Sequence, residues 1–388
     1  MIVIHDVETH TPDPAGPSTL LLAGTRIERI GPGLALTAGL AEEIEGPDLI
    51  AVPGLVDAHV HLAGGGGEGG FASRTPELSL GDAIAGGVTT VVGCLGTDGV
   101  ARSLPALVAK ARALAEEGIS TFVLTGSYGV PLVTLTGSVE RDLMLVGEVV
   151  GVGELAISDH RSSQPTFEEL ARIVADARRG GVLAGKSGIV NVHLGDGPSG
   201  LGLIRRLVDE TEIPITQLLP THVNRNPALF EEAVAWARRG GWVDMTTSNV
   251  PAFFARGAVK PSAGLARMLA AGVDPSRITF TSDGQGSLPD YDASGRLVGL
   301  GIGRVTSLLD EVRDAVLVEG VPLSVALGVA TRNPARALGL PRKGVLAEGN
   351  DADVVLLRRD DLAVHTVIAG GRFLMREGRP VAKGTFEP

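Results

Sequence analysis

The sequence predicts an α/β protein: a (β/α)8 barrel of the TIM type, with a small β-sandwich domain built from both termini. Two patterns predict it. The middle of the chain alternates short apolar, β-branched runs with longer amphipathic ones, as parallel strand–helix units do. Both ends carry strand-like runs broken by glycine and proline turns, which is all-β grammar. Length agrees, since 388 residues suit one barrel-sized domain and a smaller one. The expected division is 1–52 and 343–388 for the sandwich and 53–342 for the barrel.

In order, Leu20-Leu21-Leu22, Arg26 to Ile30 and Leu49 to Val52 read as N-terminal strands, separated by Gly24, Gly31-Pro32-Gly33 and Gly46-Pro47-Asp48. Barrel strands are expected at 55–61, 89–93, 121–125, 149–154, 189–193, 217–222, 243–246 and 278–282. Helices are expected at 77–85, 104–117, 138–146, 166–179, 201–210, 227–239 and 262–271. Ser138 and Thr166 are start signals, the latter with Glu168 and Glu169 in the first turn. Gly118, Gly180-Gly181, Gly240-Gly241 and Gly272 sit where helices are expected to end in a left-handed residue. Strands return at 352–357, 364–368 and 372–375. A doubly wound open sheet is the rival fold, but Gly-x-Gly-x-x-Gly is missing from a first strand–helix turn.

Composition narrows the function. A net charge of −11 argues against nucleic acid as a main partner, which needs a basic footprint. Aromatics, at 3%, are too scarce for stacking platforms. No apolar run reaches the ~18 residues needed to span a bilayer, so no membrane role is expected. Met1-Ile-Val-Ile-His-Asp6 lacks the regions of a secretory signal, and the single cysteine, Cys94, excludes an intramolecular disulfide framework. A cytoplasmic protein is expected.

Chemistry concentrates where strands end. In Asp57-Ala-His-Val-His-Leu62, alternation along a strand projects His59 and His61 to the same side, where they can share one cation. Glu154, His193, His222 and Asp283 fall at the ends of the expected fourth, fifth, sixth and eighth strands, the face on which barrel sites are built. Singly, each histidine also reads as a satisfied buried imidazole, and Asp283 as a cap or turn residue. Jointly, four histidines and two carboxylates at strand ends point to metal. His5, His10, His160 and His365 fall outside this set. Zinc lowers the pKa of bound water to about 7, and two metals ~3.5–4 Å apart can bridge the resulting hydroxide.

This constellation resembles the amidohydrolase superfamily and, within it, the β-aspartyl (isoaspartyl) dipeptidase family. The resemblance covers nearly the whole chain. Its segments are His59-Val-His-Leu-Ala-Gly-Gly-Gly-Gly-Glu68, Gly93-Cys-Leu-Gly-Thr-Asp98, Ala156-Ile-Ser-Asp-His-Arg-Ser162, Leu219-Pro-Thr-His-Val-Asn-Arg-Asn226 and Ser282-Asp-Gly-Gln-Gly-Ser287. It implies two divalent metal ions, zinc by expectation. His59 and His61 would hold the first, His193 and His222 the second, with Asp283 a ligand to the first and the general acid/base. A metal-bridging hydroxide would cleave β-aspartyl dipeptides in a homo-oligomeric enzyme. Glu68 matches the residue receiving the substrate α-amino group, and Arg161 and Arg225 the pair gripping the departing residue's carboxylate. Gly66, Thr97 and Ser287 lie where the aspartyl α-carboxylate is held, and Tyr128 matches the tyrosine that stabilises the oxyanion.

The sequence departs from that family at one position. Its members bridge their metals with a carboxylated lysine, but here the motif places Glu154, with one extra residue in Gly151-Val-Gly-Glu154. Lys186 belongs to a separate glycine turn. Glutamate itself supplies two carboxylate oxygens, so Glu154 is the expected bridge; the alternative is a misaligned surface residue and a site with one metal. Two other functions stay open: hydrolysis of a cyclic amide or N-acyl amino acid, and a non-catalytic metal-binding scaffold.

Overall fold

The computed structural model describes residues 1–33, 39–292, 294 and 296–387. Residues 34–38 and 388, parts of the two expected sandwich halves, lie outside the described residues, as do 293 and 295.

Eight strands follow one another through the middle of the chain: β1 (Leu55–Val60), β2 (Val88–Gly93), β3 (Ser120–Thr125), β4 (Val149–Ile157), β5 (Ile189–Leu194), β6 (Leu218–Thr221), β7 (Val243–Thr246) and β8 (Ile278–Thr281). Each matches an expected strand to within a few residues at either end. Strands β1 to β6 form one sheet in chain order and β7 pairs with β8, all pairings being parallel. Most of their residues are buried on both faces, which is why they read as near-continuous apolar runs.

The arrangement is barrel-like, but its hydrogen-bonded ladder is interrupted at two seams. Between β6 and β7, Val223 N donates to Asp244 O at 3.2 Å, and Thr221 Oγ1 donates to Asp244 Oδ2 at 2.6 Å. Between β8 and β1, His61 N donates to Gly284 O at 2.8 Å, and Ser282 N to Asp57 Oδ1 at 3.1 Å. A buried aspartate therefore stands at each seam.

Helices Leu104–Glu117 and Pro227–Arg238 lie where the pattern predicts, each opened by a capping side chain, Ser103 and Asn226. Helix Phe167–Ala184 starts at the Thr166/Glu169 capping box but runs past Gly180-Gly181 to a left-handed Gly185. The two glycines are packing positions rather than a stop. A Cβ on Gly180 would lie 2.9 Å from Glu140 Cα, and one on Gly181 2.8 Å from Gly188 N. After β8 the chain adds a hairpin, Ser287–Tyr291 with Leu297–Ile302, and helices Ser307–Leu317, Leu323–Gly328 and Arg332–Ala337, none of which the sequence reading anticipated.

Both ends join one nine-stranded sheet. Leu49–Pro53 pairs antiparallel with Val354–Arg358 and parallel with Ile2–His10, so N- and C-terminal strands meet in its middle. One face packs on its own cluster, including Ile4, Leu20, Ile27, Leu356 and Ile368. Val355, Leu357, Val367 and Leu374 belong instead to the core shared with the barrel. No helix among the described residues is long and apolar enough to cross a membrane.

Candidate metal centre and substrate pocket

The strands end around a cavity of about 690 Å³. Of the residues singled out from the sequence, all but His59 line it; His59 is fully buried beneath. Glu154, 1% exposed, stands at the centre, not on the surface. Strand β4 pairs with β5 at Val152↔Val190 and next at Leu155↔Val192, so it carries one residue more than its partner between those points. The extra residue in Gly151-Val-Gly-Glu154 is this bulge, a device that re-aims a side chain.

Four imidazoles surround the Glu154 carboxylate. Oε1 lies 2.5 Å from His193 Nδ1 and 2.9 Å from His222 Nε2. Oε2 lies 3.4 Å from His59 Nε2 and 3.8 Å from His61 Nε2. Asp283 Oδ1 approaches His61 Nε2 at 3.1 Å and His59 Nε2 at 3.7 Å. His222 and Asp283 have left-handed backbones, φ 63° and 53°, which non-glycine residues seldom adopt. Such strain persists where surrounding contacts fix it. Thr246 Oγ1 lies 2.6 Å from His222 Nδ1, and Asp283 O accepts from Gly286 N at 3.0 Å.

Both ring nitrogens of His59, Glu154 Oε2 and Asp283 Oδ1 are buried without a hydrogen-bond partner among the described residues. Unpaired polar atoms are rare in protein interiors and costly, and these converge on one place. Donor atoms of His59, His61, Cys94 and Glu154 lie within 4.8 Å of one another, as do those of Glu154, His193 and His222, so the two groups share Glu154. Imidazole and carboxylate are the donors divalent metals take, and the residues fit such ions. Burial would raise the pKa of Glu154, but His59, His193 and His222 outweigh it and hold the carboxyl well below its usual range. Burial, with His193 next, pushes the His222 imidazole down to about 3, leaving it neutral as ligation requires. Among the described residues no lysine lines the cavity; Lys186 Nζ donates to the Val146 and Val149 carbonyls, each at 2.7 Å.

A wall of further charged side chains lines the same cavity. Arg161 donates to Glu68 Oε1 at 3.1 Å and, through Nε and Nη2, to both oxygens of Asp159 at 3.0 and 2.8 Å. Ser287 Oγ donates to Glu68 Oε2 at 2.9 Å and Thr97 Oγ1 to Glu68 Oε1 at 3.3 Å. Gly66 has φ 78°, and a Cβ there would lie 2.5 Å from Ser73 O, so only glycine fits. Arg225 faces the same cavity, its Nε without a hydrogen-bond partner among the described residues. Tyr128 is held by its amide donating to Gly96 O at 3.3 Å, and its hydroxyl lies 2.9 Å from His193 Nδ1. Burial, reinforced by the Glu154 charge, raises its pKa well above the usual phenol range, so it stays an O–H donor.

The amidohydrolase family's sequence profile matches residues 50–374. The chain belongs to the amidohydrolase family. This amidohydrolase, a hydrolytic enzyme, is similar to β-aspartyl dipeptidase from the thermophilic keratin-degrading Fervidobacterium islandicum AW-1 in complex with the β-Asp-Leu dipeptide. They share 44% identity over 100% of both chains, with a TM-score of 0.93. Another β-aspartyl dipeptidase structure from that organism gives 42% identity over 100% of both chains and a TM-score of 0.90. D-hydantoinase, at 19% identity over 99% of this chain and 97% of its own, with a TM-score of 0.69, shares the fold.

Two amidohydrolase residues escaped the sequence reading. Asp159 Oδ2 lies 3.0 Å from His193 Nε2 while also holding Arg161, so it ties a candidate metal ligand to the charged wall. The signal was its place inside Ala156-Ile-Ser-Asp-His-Arg161. Tyr291 packs edge-on to His160 at 5.4 Å at the cavity rim. It sits on the unanticipated hairpin, and nothing local marked it.

Proposed function

We propose that the chain is a binuclear β-aspartyl dipeptidase, cleaving the amide between an aspartate side chain and the following residue. His59, His61 and Asp283 would hold one divalent cation and His193 and His222 the other, with Glu154 shared. When bound, two zinc ions would supply an ionised water at neutral pH and polarise the scissile carbonyl. Tyr128, kept protonated by burial, donates to the carbonyl oxygen as negative charge builds there. Asp283 Oδ1 accepts a proton from the attacking water and passes it to the leaving nitrogen.

The observation that carries this reading is the presence of Glu68, Arg161 and Arg225 in one cavity with the donor set. A dipeptide zwitterion brings an ammonium group and two carboxylates. In the free chain Glu68 and Arg161 pair with each other. Exchange of that pair for Glu68 with the ammonium, and Arg161 and Arg225 with the departing residue's carboxylate, replaces one charge contact by several. Guanidinium suits this task because it binds carboxylates bidentately. Gly66, Thr97 and Ser287 would hold the aspartyl α-carboxylate. A cyclic amide has no charges that call for this wall. The β-Asp-Leu complex of the 44%-identical relative supports the same substrate class.

We further propose the barrel-like domain as 53–342 and a two-part terminal domain as 1–52 and 343–388, the latter supported by the junction of Leu49–Pro53 with Val354–Arg358. We also propose a cytoplasmic protein, and a homo-oligomer as the family resemblance implies. The direct test offers the zinc-loaded protein β-Asp-Leu and a hydantoin. Turnover of the dipeptide alone is expected. Turnover of the hydantoin alone would move the chain to cyclic amides, and turnover of neither would favour a binding scaffold.

A further inference from the structure

Cys94 is the chain's single cysteine, and the reaction proposed above leaves it idle. It directly follows β2 and is 1% exposed, in a cluster with Val56, Ala58, Val92 and Leu124. Its amide donates to Val60 O at 3.1 Å, which sets it beside the His59–His61 segment. Its Sγ lies 4.0 Å from His61 Nδ1. A cysteine in an apolar cluster is ordinarily a small hydrophobe, and alone it would carry nothing. Here, however, donor atoms of His59, His61, Cys94 and Glu154 all fall within 4.8 Å of one another. Among the described residues, neither ring nitrogen of the fully buried His59 has a hydrogen-bond partner, and neither does Glu154 Oε2. Unsatisfied nitrogen and oxygen donors thus face the same small volume as the sulfur.

We propose that Cys94 supplies a sulfur donor to the His59–His61 metal position, making that position selective for thiophilic divalent cations such as zinc, cobalt and cadmium. The proposal rests on the metal reading given above. Thiolate is the ligating form of cysteine, and a soft donor shifts preference away from magnesium and manganese, which favour oxygen. On metal uptake the S–H bond breaks, its electron pair forms the bond to the cation, and the proton leaves to solvent. No oxidant or reductant takes part.

Cobalt(II) makes the sulfur contact visible. The full-length protein loaded with cobalt should show thiolate-to-cobalt charge-transfer absorption in the near ultraviolet. Cys94→Ser and Cys94→Val should lose that band while their histidines retain cobalt, measured as metal per chain. Because there is no other cysteine, the wild-type spectrum decides the matter even where a variant fails to fold. Bound cobalt without the band, or a band that survives in folded variants, would overturn the sulfur donor alone. A wild-type chain that takes up no cobalt would overturn the metal reading as well.

Discussion

Tyr128 reaches the centre from a loop rather than a strand, its hydroxyl 2.9 Å from His193 Nδ1 and its ring beside the Arg161 guanidinium, 5.4 Å away. A buried phenol that stays protonated is a donor whose worth appears only when charge develops on a nearby oxygen. Tyr128→Phe should therefore lower kcat on β-Asp-Leu about 10²–10³-fold with little change in KM, the loss typical of one oxyanion donor. Steady-state kinetics check this, and a raised KM at unchanged kcat would make Tyr128 a binding residue instead. His59 and His61 were legible because strand alternation alone brings their side chains together. Glu154 was legible from its place at a strand end, and as the bridge only through the motif around it. Asp159 was not, because an aspartate beside His160 and Arg161 reads as a loop charge until the fold buries it against His193.

At the scale of elements, side chains add to single backbone bonds in holding the barrel-like arrangement together at its two seams. Asp244 on β7 accepts from Thr221 at 2.6 Å and from Thr279 and Thr281 at 2.7 Å each, linking β6, β7 and β8. Burial raises its pKa, outweighing those three hydroxyls. The native state thus holds a proton that the unfolded chain sheds near the ordinary aspartate value of about 3.9. Stability falls as pH rises past that value, until the folded-state carboxyl ionises too. Asp244→Asn removes this dependence, so the variant's Tm relative to wild type should climb as pH rises from about 4. Parallel Tm curves across pH would contradict it. The eight strands were legible because strands buried on both faces must be apolar throughout. The hairpin was not: Pro289, Gly299 and Gly301 interrupt its pattern, and Leu297–Ile302 turns its apolar Val298, Leu300 and Ile302 to the exposed side, so apolar residues do not mark a buried face there. Gly180-Gly181 misled for a different reason, since a glycine that ends a helix and one that lets two elements approach look alike in sequence.

For the molecule as a whole, the terminal sheet is fastened to the barrel as well as to itself. Gly87, before β2, has φ 71°, and a Cβ there would lie 3.4 Å from Val355 Cγ1 in the sheet. The same pairing of the two chain ends was legible, because both read as strands and turns around a middle that does not. What the whole arrangement produces is one cavity that holds the candidate metal donors together with Glu68, Arg161 and Arg225. Under the function proposed above, the substrate is one whose charged groups are displaced from the reacting amide by a side chain. The measurement that tests this most directly is kcat/KM of the zinc-loaded protein on β-Asp-Leu against α-Asp-Leu. A site built around charged groups should reject the wrong linkage by about 10⁴-fold or more. Comparable turnover of both peptides, or a preference for the α-linked one, would contradict the account.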